Sequence, residues 1–273
     1  IILIMASAGI LKDDEFTYEI ICESGTKTRL VEQSYTKIFD TGKGRAYKRK
    51  HISLHGTASL YDQSSVVIPF QNSWFESDTV VDLQRNSEFA WADILAGGRI
   101  AMQERFAFRH YRSRMCVKIE GNPVWLDQCL LEPEWMDAEG IYFFDGYTHQ
   151  GSFYYYGTEE KQKRILQWRN LAVNRWKELA IIGVSEARQG ICVRALANAA
   201  QNLEEIFADL AQLLELTVVS ISDHIISFSI NPARSSRRVF NWDRSISRIS
   251  EIQSGGKGSL CIWYISGEAE SLL

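Results

Sequence analysis

FAWADILAGGRIAMQERFAFRHYRSR, residues 89–114, is the stretch that decides the fold. In a β-strand side chains alternate between faces, so Phe89, Trp91, Asp93 and Leu95 share one face and Ala90, Ala92, Ile94 and Ala96 the other. Both faces are apolar, which predicts a strand covered on both sides. Asp93 then stands among large apolar side chains, where an unpaired charge costs several kcal/mol and requires a cation or a proton. Gly97, Gly98, Arg99, Glu104 and Arg105 follow closely. A buried acid beside a double glycine and further charges points to a polar path or site inside the core.

Working outward, residues 1–119 are short β-runs broken by turn residues. Phe16, Tyr18 and Ile20 alternate with polar neighbours; runs at 30–39, 47–54, 58–68 and 74–83 are separated by Thr41-Gly42-Lys43-Gly44, His55-Gly56 and Pro69 to Ser73. Residues 105–120 and 124–131 read as a hairpin about Gly121-Asn122. Residues 140–157 form two aromatic runs about Asp145-Gly146, either a hairpin or a bulged strand, whose rings suit core packing better than a sugar-binding platform. Helical periodicity starts only later. Thr158 is placed to cap a helix over about 159–179, with Glu159 and Glu160 at its positive end and Ile165, Trp168, Ala172, Trp176 and Leu179 in one stripe. A second helix, 201–216, carries Leu203, Ile206, Phe207, Leu210, Leu213 and Leu214 on one face.

The fold class expected is therefore predominantly β, with layered antiparallel or mixed sheets and two amphipathic α-helices towards the C-terminus. One β-rich domain is expected over 1–216, followed by a tail, 217–273, of uncertain structure. Within it, 218–230 has room for two more strands, and Arg234, Arg237, Arg238, Arg244 and Arg248 read as a solvated basic segment.

Hydrophobic residues at 45% and charged residues at 23% are ordinary for a globular protein, and a net charge of −4 gives the whole molecule no pull towards nucleic acid or anionic lipid. Cysteines 22, 116, 129, 192 and 261 form no CxxC pair, which argues against a zinc site or a disulfide framework and for a reducing cytoplasm. The opening IILIM is too short for a membrane span and lacks the basic flank of a signal peptide, and no later segment reaches spanning length. Starting directly on an apolar strand-like run, the chain reads as lacking its first strands.

Common catalytic engines are missing: no GxxxxGK[ST] phosphate loop, no HExxH, no GxSxG and no GxGxxG after a strand. His51 and His55 lie four apart but in strand context, where surface imidazoles are expected; His110 reads as structural, and His149 as bonding backbone beside a turn. The carboxylates are more informative. Asp93, Glu104 and Asp127 sit within or beside the densest β-runs. They fit structural ion pairs with Arg99, Arg105 or Arg112, a hydrophilic channel or weak divalent-cation site, or an acid/base pair of the glycosidase kind.

Six segments in order then resemble one family: ASAGILKDD (6–14), SYTKIFDT (34–41), VVIPFQNSWF (66–75), WADILAGGRIAMQERFAFRHYRSRMCV (91–117), FDGYTH (144–149) and GICVRALAN (190–198). Over 1–216 the chain resembles the urease accessory protein UreD, also called UreH. The resemblance implies a β-rich, non-catalytic nickel-insertion chaperone of the cytoplasm that binds UreF and, through it, the GTPase UreG, and docks on apo-urease. It implies no tightly bound cofactor, only Ni²⁺ in transit. By motif position, Asp93, Glu104 and Asp127 would line a weak nickel path, with Gly97, Gly98 and Arg99 supporting it and Arg99 holding Glu104 or Asp93. The competing expectation is a β-sandwich carbohydrate-binding module or glycoside-active enzyme, against which the missing secretion signal and odd cysteine count stand.

Overall fold

The alternating runs become strands that pass back and forth between two sheets. A computed structural model describes residues 1–5 and 7–216 and, beyond them, only the backbone of three short strands. In chain order the elements are β1 (Ile2–Met5), β2 (Glu15–Cys22), β3 (Lys27–Glu32), β4 (Thr36–Ile38), β5 (Ala46–Leu54), β6 (Ser59–Pro69), β7 (Trp74–Leu83), β8 (Glu88–Ala96), β9 (His110–Ile119), β10 (Asn122–Leu131) and β11 (His149–Tyr156). There follow α1 (Glu159–Trp176), β12 (Ala180–Glu186), β13 (Ile191–Ala197), α2 (Ala200–Leu213), β14 (Ile226–Ile230), β15 (Val239–Phe240) and β16 (Cys261–Tyr264). One sheet has the order β12-β13-β11-β8-β6-β3-β1-β16, with β4 also on β6; the other has the order β10-β9-β7-β5-β2-β14-β15.

Both sheets are mixed. β2, β5, β7 and β9 are mutually parallel, as are β3, β6 and β8, whereas β10, β11, β12 and β13 add antiparallel. Parallel neighbours cannot be joined by a tight turn. Here the crossover between two parallel strands is a strand of the opposite sheet, which is why loops as short as His55–Ala58 suffice.

β8 is covered on both faces, as its composition predicts. Ala90, Ala92, Ile94 and Ala96 pack with Ile165 and Trp168 of α1 and Leu203, Ile206, Phe207 and Leu210 of α2, while Phe89, Trp91 and Leu95 face the second sheet. The molecule is thus three layers: sheet, sheet, helix pair. The Thr158 hydroxyl accepts a hydrogen bond from the Lys161 amide, 3.4 Å away, at the start of α1.

Some expected elements differ. Residues 141–146 are turns, not a strand, so 140–157 contains only the single strand β11. Asp145 and Gly146 have φ of 47° and 77°, and the amides of both fold back onto Gly140 and Glu139 carbonyls, which coils the chain before it can pair. The run 30–39 splits into β3 and β4 because β6 carries a bulge between Gln63 and Val66, and the two short strands pair with its two halves. α1 ends at Trp176, leaving Leu179 exposed beyond its stripe. Of the segment 218–230, Ile226–Ile230 is a strand against β2. Residues 218–225 and the basic cluster 234–248, apart from the backbone of β15, lie outside the described residues.

Candidate functional site

Between the sheets the core is interrupted. At one end lies an apolar cluster containing Leu60, Leu54, Val81, Phe89, Trp91 and Tyr154; at the other, one containing Ala46, Val67, Phe75, Leu95, Tyr111 and Leu131. Period-two alternation places one or two inward positions of each strand between these clusters, and they are polar. In the first sheet they are Arg194 on β13, Ser152 on β11, Asp93 on β8, Asp62 on β6 and Glu32 on β3, which are five successive strands. In the second they are Asp127 and Cys129 on β10, Ser113 on β9, Ser77 and Thr79 on β7, and Lys48 and Lys50 on β5. A polar belt therefore crosses the sandwich at right angles to the strands.

The charges in the belt are arranged in pairs. Lys50 Nζ donates to both Asp62 oxygens, at 3.1 and 2.8 Å, with the two side chains only 4% and 2% exposed. Lys48 Nζ donates to Glu32 Oε1 at 2.7 Å, and Glu32 Oε2 accepts from the hydroxyls of Ser65 at 2.6 Å and Thr36 at 3.1 Å. Burial pushes the Glu32 carboxyl up, but Lys48 and Lys50 outweigh it and hold the group well below the carboxylate range. At the far end Arg194 bonds Asp127 and the Ser152 hydroxyl, tying β13 of one sheet to β10 of the other.

Asp93 lies between these pairs. Burial drives its carboxyl up to about 7, with Lys48 and Lys50 opposing and Glu32 and Asp127 reinforcing the rise. It is closely surrounded by protein yet keeps some accessible surface. The Cys129 thiol is pushed up to about 12 by burial and by Asp127 and Asp93. Two clefts reach the belt at Glu32. One is lined by Leu3, Tyr18, Tyr35 and Thr36 between the sheets; the other, of ≈ 180 Å³, is lined by Ser64, Ser65, Ala92, Ile94, Glu204 and Phe207 on the helix side.

Of the carboxylates singled out in the sequence, the structure brings Asp93 and Asp127 together on the belt and leaves Glu104 elsewhere. Glu104 lies in the loop after β8, clamped by Arg99 (Nε to Oε2, 2.8 Å, with a second bond from Nη2) and by the Gln71 amide at 3.3 Å. Arg99, which also lies 4.3 Å from the centre of the Phe70 ring, therefore holds Glu104 and not Asp93. Arg105 pairs with Glu139, and Arg112 with Glu76 and Asp78, so none of the three arginines expected as partners reaches Asp93. A Cβ on Gly97 would meet the Phe106 ring at 2.7 Å, and Gly98, at φ +122°, would meet the Glu104 carbonyl oxygen at 2.7 Å. Gly98→Ala is expected to cost ~2 kcal/mol in urea denaturation, from backbone strain at a left-handed position. A cost below about half of that would remove the loop from the supporting frame.

Lys48, Lys50, Asp62, Ser152 and Arg194 escaped the sequence reading; the signal for them was a polar residue at an otherwise apolar inward position. His51 pairs with Asp82 at 2.7 Å, His110 stacks on Trp74 and bonds Glu132 at 2.9 Å, and His149 bonds the Thr148 hydroxyl at 2.8 Å, a side chain instead of the expected backbone. The rings of Phe144, Phe153, Tyr154 and Tyr155 are buried in the core, whereas Tyr142 and Phe143 of the first aromatic run are exposed. Among the described residues no three His, Cys, Asp or Glu side chains form a metal cage, Cys22, Cys116, Cys129 and Cys192 are free thiols, and no helix is long and apolar enough to cross a membrane.

Comparison with known proteins gives a consistent result. The family model for UreD urease accessory protein matches residues 1–224. A urease accessory protein UreH of Helicobacter hepaticus is 34% identical over 212 residues, covering 77% of this chain and 81% of that protein. A urease accessory protein UreD of Acetivibrio thermocellus is 29% identical over 215 residues, covering 78% and 81%. The chain belongs to the UreD family of urease accessory proteins.

Proposed function

We propose that the chain is a non-catalytic factor of urease maturation in the cytoplasm, and that its polar belt conducts Ni²⁺ through the body of the protein to apo-urease. The observation that carries this reading is Asp93, an enclosed carboxylate that keeps some accessible surface within a row of further carboxylates, whose end at Glu32 borders two surface clefts. Glu32, Asp93 and Asp127 offer hard oxygen donors one at a time, spaced along the row and without a closed cage among the described residues. Such an arrangement holds a divalent ion strongly enough to admit it and weakly enough to release it, the requirement for conduction between successive sites. UreF and the GTPase UreG are the partners this role calls for, since the sequence lacks a phosphate loop of its own and nucleotide hydrolysis would have to come from elsewhere.

The test is co-expression of the full chain with urease and its other accessory proteins, followed by metal analysis of purified urease. Asp93→Asn is expected to lower nickel per urease severalfold while the chain still co-purifies with its partners. Glu104→Gln, away from the belt, is expected to leave nickel content near wild type. Full metallation with Asp93→Asn would sink the conduit.

A further inference from the structure

The belt is closed at each end by a cation, and the two closures differ from the pair in its middle. Lys50 and Asp62 are fully buried and doubly bonded, a fixed tie. Lys48 and Glu32 are each 13% exposed, and Glu32 lines both clefts. Arg194 is 38% exposed while its partner Asp127 is 15%, so the guanidinium forms the outer boundary at the other end. The Lys48 ammonium lies 5.6 Å from the Tyr18 ring centre and feels Asp62 and Asp93 beyond Glu32; the Arg194 head already borders solvent.

We propose that Lys48–Glu32 and Arg194–Asp127 are exchangeable gates: a divalent cation enters or leaves the belt by taking the place of the ammonium or guanidinium group on its carboxylate. This rests on the nickel-path reading above and adds what controls passage. Four carboxylates (Glu32, Asp62, Asp93, Asp127) face three cations (Lys48, Lys50, Arg194), so the ionised resting belt carries one net negative charge. That is too little to retain a divalent ion without displacing a cation. Removing one gate cation leaves two negative charges, the complement of Ni²⁺, in a setting where water screens weakly. The path then becomes a trap.

Equilibrium dialysis of the full-length chain against Ni²⁺ tests this. Lys48→Met is expected to bind one Ni²⁺ on the order of tenfold or more tighter than wild type, and Asp93→Asn in the same background to abolish the gain. Lys48→Arg, which keeps the charge, is expected to stay at wild-type affinity. Arg194→Met reads the other gate independently and should show a similar gain. A lowered melting temperature with no gain in affinity, for both Met variants, overturns the gates, because a purely structural tie would give that result; so would a gain that survives Asp93→Asn. If neither Met variant folds, the pairs are structural ties and the proposal is overturned as well. Loss of urease nickel in Asp93→Asn without any gain in Lys48→Met rejects the gates and keeps the path. The reverse pattern rejects the path and keeps the exchange.

Discussion

Asp62→Ala is expected to destabilise the chain by about 3–5 kcal/mol, the cost of leaving a buried ammonium without its counter-ion. The Lys50–Asp62 pair is the most enclosed ion pair among the described residues, with bonds of 2.8 and 3.1 Å and no other carboxylate in direct contact with Lys50. In register with Asp62 lie Leu30 and Trp91, both apolar cluster residues, so water has little room to replace the lost oxygens. The double variant Asp62→Leu with Lys50→Met is expected to recover most of the loss, since a buried pair replaced by apolar groups of similar volume is near neutral. An ion pair at the surface is worth less than ~1 kcal/mol on the same scale. Urea denaturation of Asp62→Leu, Lys50→Met and the double variant measures the coupling; a loss of about 1 kcal/mol or less in Asp62→Ala would mean that water reaches this part of the belt.

The second large effect depends on pH. Asp93 has a folded-state carboxyl raised to about 7 from an ordinary 3.8. For a raised acid the folded state binds the proton more tightly than the unfolded chain. The relative stability is therefore greatest below the ordinary value, falls as pH rises from about 4 to about 7, and stays low above that. Asp93→Asn removes the titration. It is expected to change stability little at about pH 4 and to stabilise by up to ~4 kcal/mol at about pH 8, a ceiling that solvent screening of the partly accessible carboxyl reduces. Denaturation curves of wild type and variant at the two pH values give the difference directly, and equal offsets at both would show that the Asp93 proton is not linked to folding. On the proposed nickel path, ionised Asp93 would serve conduction at a cost in stability, as is expected of a functional group inside a core.

The doubly covered strand β8, the hairpin of β9 and β10 and the capped helix α1 were legible because each depends on local pattern: alternation, a Gly-Asn turn, a threonine before two glutamates. The belt was legible only in part. Asp93 and Asp127 stand out against apolar neighbours, whereas Lys48 and Lys50 sit in the polar run 47–51, and only Ala46, Ile52 and Leu54 at its ends mark their face as the inward one. Arg194 joins Asp127 through lateral strand order, which no short stretch of sequence carries. Glu104 misled in the opposite sense: it is near Asp93 along the chain, but the loop after β8 leads it to Arg99 and away from the belt.

The bulge in β6 has a consequence beyond register. Leu60 faces the second sheet and Val66 faces the helices, although they are an even number of residues apart, so the strand changes phase between Gln63 and Val66. It is a dislocation in the sheet: β3 is in step with one half, β4 with the other, and neither can slide to fill the gap. At that fault the Ser65 hydroxyl, and more weakly its amide at 3.4 Å, are left to bind Glu32. The clefts at Glu32 therefore lie on a fault line in the β-sheet, where a mismatch of register and not a turn sets which polar groups meet.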